Sequence, residues 1–175
     1  DLFLSLPLLP ILLVTVVLFR DPVQDRLGDN LGIFVLMVVI IGGTSWMSTA
    51  RIVRGEVLSI KQEEFILASR SIGTRPWVII MKHVVPNVMS PVIVAASLGI
   101  AVAILTESAV SFLGLGFPLD LPTWGKLLDD AKDRISLNVW LTIGPGILLS
   151  ATVMSVNLIG DGLRDALDPQ GRSKG

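Results

Sequence analysis

The chain contains no cysteine. Disulfides, thiolate nucleophiles and cysteine-held metals are therefore excluded, and nothing marks the redox compartment. Histidine is nearly absent, with His83 standing alone. A metal there would need carboxylates for its remaining ligands, and a Ser/His or His/Glu catalytic set cannot be assembled within a bilayer. Charge is scarce: 17% of the 175 residues, against about a quarter in soluble domains. A net charge of −1 supplies no field to recruit nucleic acid. The phosphate loop G-x-x-x-x-G-K-S/T does not occur; Gly125-Lys126 is followed by leucine and has Asp120 in place of the first glycine. The chain therefore reads as non-enzymatic, with no cofactor and no metal of its own. No basic stretch precedes the first apolar run and no small-residue cleavage site follows it, so it does not read as a secretion signal. The start at Asp1, one residue before that run, reads as a fragment or as a chain missing its amino-terminal part.

What the chain does have is apolar length. Just over half its residues are hydrophobic, and its mean hydropathy is +0.73. Four stretches are almost free of charge: residues 2–19, 31–50, 88–106 and 137–159. Each has about 18–23 residues, enough at 1.5 Å per residue to cross a hydrocarbon core of about 30 Å. Prolines 7, 10, 91 and 145 are tolerated in such helices because neighbouring helices satisfy the freed carbonyls. The runs lack the alternation of barrel strands. The expected fold is thus all-α and polytopic, a single membrane domain over residues 1–175. Four spans place residues 20–30 and 107–136 on one side, and 51–85 with the tail 160–175 on the other. Lys and Arg number five on the first side and nine on the second, so the second side is cytoplasmic. Pro22, Gly28 and Asn30 are the expected turn formers of the first external loop. Arg51, Arg54 and Lys61 read as anchors on lipid phosphates.

Within the cytoplasmic loop, residues 62–72 read as one helix. Phe65, Ala68 and Ile72 form a single apolar stripe, with Glu63, Arg70 and Ser71 elsewhere around the axis. Gly73 stands where helices commonly end in the left-handed conformation. Pro76 then opens a second helix over residues 77–85, expected to lie along the membrane surface, with Pro86-Asn87 turning the chain into the third span.

This order of features resembles the permease subunit of binding-protein-dependent ABC importers, in the dipeptide/oligopeptide/nickel branch. The resemblance rests on ARIVRGEVLSIKQEEFILASRSIG, KHVVPN, ESAVSFLGLG, PTWGKLL and NLIGDGLRDALDP, in that order. It covers essentially the whole chain. It implies the carboxyl-terminal part of a six-helix fold, with two further spans upstream, in a bacterial or archaeal plasma (inner) membrane. It further implies a coupling helix. Residues matching Glu64 to Gly73 dock into a groove of a separate ATPase, with Glu64, Phe65, Ala68, Ser69, Arg70, Gly73 and Arg75 at the contact. The family's Glu-Ala-Ala signature matches Leu67-Ala68-Ser69, so its glutamate is leucine here. The implied partners are a second permease, two ATPases that bind ATP and Mg, an extracytoplasmic solute-binding protein and membrane lipid. The implied cargo is a peptide or a related solute.

On the external side, Leu127, Ala131 and Ile135 line one face of a short acidic helix over residues 126–135. By resemblance this region faces the solute-binding protein, with Glu107, Trp124 and Lys126 at the mouth; a plain cover for that mouth is the competing reading. Glu107 reads as a structural carboxylate served by Ser108 and Ser111, ahead of a substrate contact. His83 reads as packing or headgroup contact. Gly144-Pro145-Gly146 is expected to kink the fourth span, and Gly160-Asp161-Gly162 to end it. A secondary transporter or channel is the alternative function; it would show inverted repeats and paired intramembrane charges, and the sequence shows neither.

Overall fold

A computed structural model describes residues 7–117 and 121–167. Every regular element among them is helical: α1 (Leu8–Leu27), α2 (Asp29–Ile60), α3 (Glu64–Ser71), α4 (Pro76–Ile79), a π-helical turn (Ile80–Val84), α5 (Val85–Phe112), α6 (Trp124–Lys132) and α7 (Trp140–Leu167). Among the described residues three helices are long and apolar enough to cross a membrane: Asp29–Ile60, the continuous rod Pro76–Phe112, and Trp140–Leu167. The expected first span begins outside the described residues; its described part lies in α1.

Two expected loops are helix instead. Residues 20–30 form no open turn. α1 runs through Pro22 to Leu27, and α2 starts at Asp29. Only Gly28 breaks the path, at φ 82°, its N–H donating to the Gln24 carbonyl at 2.7 Å. Proline inside a helix removes one hydrogen bond but does not compel a turn. Likewise Pro86-Asn87 makes no corner. The chain runs from Pro76 through the π turn into α5 as one rod, with the Asn87 amide donating to the His83 carbonyl at 2.6 Å. The wider turn accommodates the missing N–H without ending the helix. The segment expected to lie on the membrane surface is therefore the first part of the third span's own rod. α7 similarly continues past Gly160 and Gly162 to Leu167, so those glycines do not end it. The last expected residues of the cytoplasmic cap, 168–169, lie outside the described residues.

The chain divides into two compact units. The first takes residues up to 45 and 100–156. Its core joins Leu12 and Val16 of α1 to Ile33, Leu36, Met37 and Ile40 of α2 and Val110 of α5. The spacing 33, 36, 37, 40 is one face of a helix. α6 lies closely on α5, because a Cβ at Gly125 would overlap the Ser108 carbonyl oxygen. Thr123 caps α6 by accepting the Lys126 N–H at 3.2 Å. Lys132 ties its other end down, donating to the Phe112 carbonyl at 2.8 Å and lying 4.5 Å above the Phe112 ring. α6 covers 124–132, shorter at its far end than the expected 126–135.

The second unit takes residues 46–99 and 157 onward. Its core is Ile60, Ile66, Ile79, Val84 and Val88, with Val53, Val57 and Val92 packed around it. α2, α3, α4, the π turn and α5 each contribute, so the short α3 is held by side chains from all its neighbours in sequence.

Candidate functional site

Helix α3 is eight residues long, too short to persist alone in water. Its stability comes from one deeply buried side chain, Ile66, with no exposed surface. Glu64 in the first turn and Arg70 in the last each complement the helix dipole. Ser69 and Ser71 turn their hydroxyls back onto the Phe65 and Leu67 carbonyls at 2.8 and 3.0 Å. Gly73 adopts φ 77°, where a side chain is strained, and Thr74 N–H closes onto the Ser69 carbonyl at 3.1 Å. Arg75 in extended backbone then leads into Pro76 at the first helical position.

The stripe predicted from spacing, Phe65, Ala68 and Ile72, is not the face that packs inward. Phe65 is 42% exposed and Ile72 82%, and Ala68 is exposed as well. The inward position, Ile66, went unrecognised because in an eight-residue helix the periodicity admits two apolar lines and sequence alone does not rank them. Glu64, Arg70, Gly73 and Arg75 are exposed, and Ser69 is half-buried. The Phe65 ring, besides facing outward, touches the His83 ring in the π turn, with centroids 5.8 Å apart and planes at 48°. His83 is thus a packing partner.

In the first unit, Glu107 lies near the end of α5. It accepts the Ser111 hydroxyl at 2.6 Å and, at 3.4 Å, that of Ser108, both serines being buried. Its carboxylate lines a cavity of about 780 Å³. Phe34, Met37, Val38 and Ile41 of α2 form one wall, and Trp124 and Leu127 of α6 another. The Phe117 ring closes toward Phe34 at 6.4 Å. The apolar α2 positions escaped sequence reasoning, since a membrane helix is apolar all round and offers no contrast between faces.

Glu107 and Trp124 line that cavity, and Lys126 lies outside its described lining. Its ammonium pairs within α6, with Asp129 at 3.0 Å and Asp130 at 2.9 Å. The hydrogen bonds it donates to Asp130, then Asp129, raise its pKa above the ordinary lysine value. Asp129, held by Lys132 at 2.7 Å and then by Lys126, is pushed below the ordinary carboxylate value. No group of three or more metal-ligating side chains occurs among the described residues.

Comparison with known proteins identifies the family. The family described as "Binding-protein-dependent transport system inner membrane component" matches residues 1–173. The oligopeptide transport system permease protein OppC of Salmonella typhimurium is 46% identical over 145 residues, covering 83% of this chain and 47% of that protein. The dipeptide transport system permease protein DppC of Alkalihalophilus pseudofirmus is 38% identical over 173 residues, 99% of this chain and 53% of that protein. The glutathione transport system permease protein GsiD of Pectobacterium atrosepticum is 39% identical over 137 residues, 78% and 46% of the respective lengths. The chain spans about half the length of these relatives. With three membrane-length helices among its described residues and a family match over nearly its full length, the chain belongs to the family of inner-membrane components of binding-protein-dependent transport systems.

Proposed function

We propose that the chain is the carboxyl-terminal part of a permease subunit in an ATP-driven importer of peptides or a chemically similar solute. Residues 1–175 form one transmembrane domain with four spans, the first of them including α1. The loop 51–85 and the tail face the cytoplasm, and residues 107–136 face outward. A second permease completes the pathway, two ATPases hold ATP and Mg, and an extracytoplasmic binding protein delivers the solute.

The observation that carries this reading is the two-sided character of α3. Ile66 roots it in the second unit's core while Phe65, Ala68 and Ile72 stand exposed on another side. An exposed apolar line on a rooted helix, flanked by Glu64, Arg70 and Arg75, is suited to a groove that buries the line and orients it by charge. Closure of the ATPases on nucleotide would move α3 as a rigid body and reorient the spans.

The test is to co-purify the ATPases with the permease pair after replacing Ile72 by Asp. Loss of the ATPases from an otherwise intact permease is expected. Undiminished co-purification and transport would show that α3 is not the docking element.

A further inference from the structure

Glu107 does more than brace the turn after α5: we infer that its carboxylate, in the apolar cavity of the first unit, receives the ammonium group of an amphiphilic solute, as at the amino terminus of a peptide with an apolar first residue. The inference rests on the permease reading and gives its pathway a chemical preference. Three observations lead to it.

The cavity volume of about 780 Å³ lies within the roughly 300–1,000 Å³ of small-molecule sites, and its wall is mainly apolar side chain. Among the described lining residues Glu107 is the one ionisable group. Among the described residues no lysine or arginine pairs with it, and the cation nearest in sequence, Lys126, is committed to Asp129 and Asp130. A carboxylate has about four acceptor positions. Ser111 and Ser108 take two from one side, fixing the group's orientation while leaving acceptor capacity.

Across the wall, Thr152 donates its proton to the Leu148 carbonyl at 2.8 Å, so its oxygen presents lone pairs only. An ammonium group brings three donors and no acceptor. Acceptors against an apolar wall match a cation with an apolar substituent, while Glu107, the one ionisable group in the described lining, repels an anion.

The experiment uses the complete transporter in nanodiscs without the binding protein, so that the binding protein's own selectivity does not enter. Binding of trileucine with a free amino terminus is compared with that of N-acetyl trileucine, after subtraction of empty nanodiscs. The wild type is expected to favour the free amine by about tenfold, the size of one charge-assisted hydrogen bond. Glu107→Gln keeps a carbonyl for the Ser111 hydroxyl but removes the charge, and should abolish the preference while leaving the melting temperature unchanged. Equal affinities in the wild type, or a preference that survives in Glu107→Gln, overturn the proposal. If that variant does not assemble, Glu107→Asp replaces it: its shorter arm should reduce the preference, and an undiminished one overturns the proposal equally. Failure of the permease reading would appear separately, as absence of ATPases from the purified complex.

Discussion

Ile66 and Ile72 lie six residues apart on the same short helical segment, one wholly buried and the other 82% exposed. Truncating each should therefore do opposite things. Ile66→Ala leaves a void among Ile60, Ile79 and Val84, and a loss of about 2–5 kcal/mol is expected from such truncations, measured by thermal unfolding of the detergent-solubilised protein. Ile72→Ala removes no packed contact, so its unfolding should stay within about 0.5 kcal/mol of wild type while ATPase affinity falls. Gly73 is a third kind of residue. Its φ of 77° costs an L-residue about 1–2 kcal/mol, more for a β-branched one. Open space surrounds the position, so strain alone acts. Gly73→Val should leave the complex assembled but hydrolysing ATP without transport, read as the ratio of phosphate released to solute moved; an unchanged ratio would sink the lever reading. Gly73 and Pro76 were legible in sequence because their constraints are local. Ile66 was not, because choosing between two apolar lines requires knowing where Ile60 and Val84 lie.

At the scale of the element, α6 carries its own electrostatic fastening. Lys126 and Lys132 both reach Asp129, and Lys132 also binds the end of α5. Asp129 has its pKa lowered from an ordinary value of 3.8. Its contribution is fully present above that value and is lost as pH falls through the lower, folded value. Lys126 has its pKa raised from 10.5, so its contribution is complete below that pH and disappears as pH rises through the higher, folded value. Hydrogen exchange across residues 124–132 should accordingly be slowest between about pH 5 and 9, once corrected for intrinsic rates. Asp129→Asn should weaken the fastening by about 0.5–1 kcal/mol, the scale of partly exposed pairs. The helices themselves were legible from apolar length, but their ends were not. Pro22 and Pro86 look like corners in sequence, yet each lies within a continuous helical path, because proline removes one hydrogen bond without compelling the chain to turn.

For the whole molecule, orientation is tested by cysteine labelling, since residues 1–175 bring no cysteine of their own. A cysteine at Arg70, exposed on α3, should react with an impermeant maleimide only from the cytoplasm. One at Asp133, exposed just beyond α6, should react only from outside. Labelling of both from one side would overturn the four-span topology. The same experiment tests the proposed orientation, which rests on five Lys and Arg on one side of four spans against nine on the other.

Composition and order along the chain determined that this is a helical membrane protein, with a short capped helix between two spans and no chemistry of cysteine, paired histidine or phosphate loop. Those properties follow from how each residue meets lipid, water and its immediate neighbours, which needs no tertiary knowledge. Only the folded arrangement decided that Ile66 roots α3 in the core and that Lys126 is committed to Asp129 and Asp130. It also decided that an apolar hollow lies against Glu107, whose pairing with Ser108 and Ser111 was legible from their spacing. The rooting of Ile66 and the hollow depend on which side chains from distant positions occupy the space nearby, and a uniformly apolar helix carries no internal mark of which face that will be.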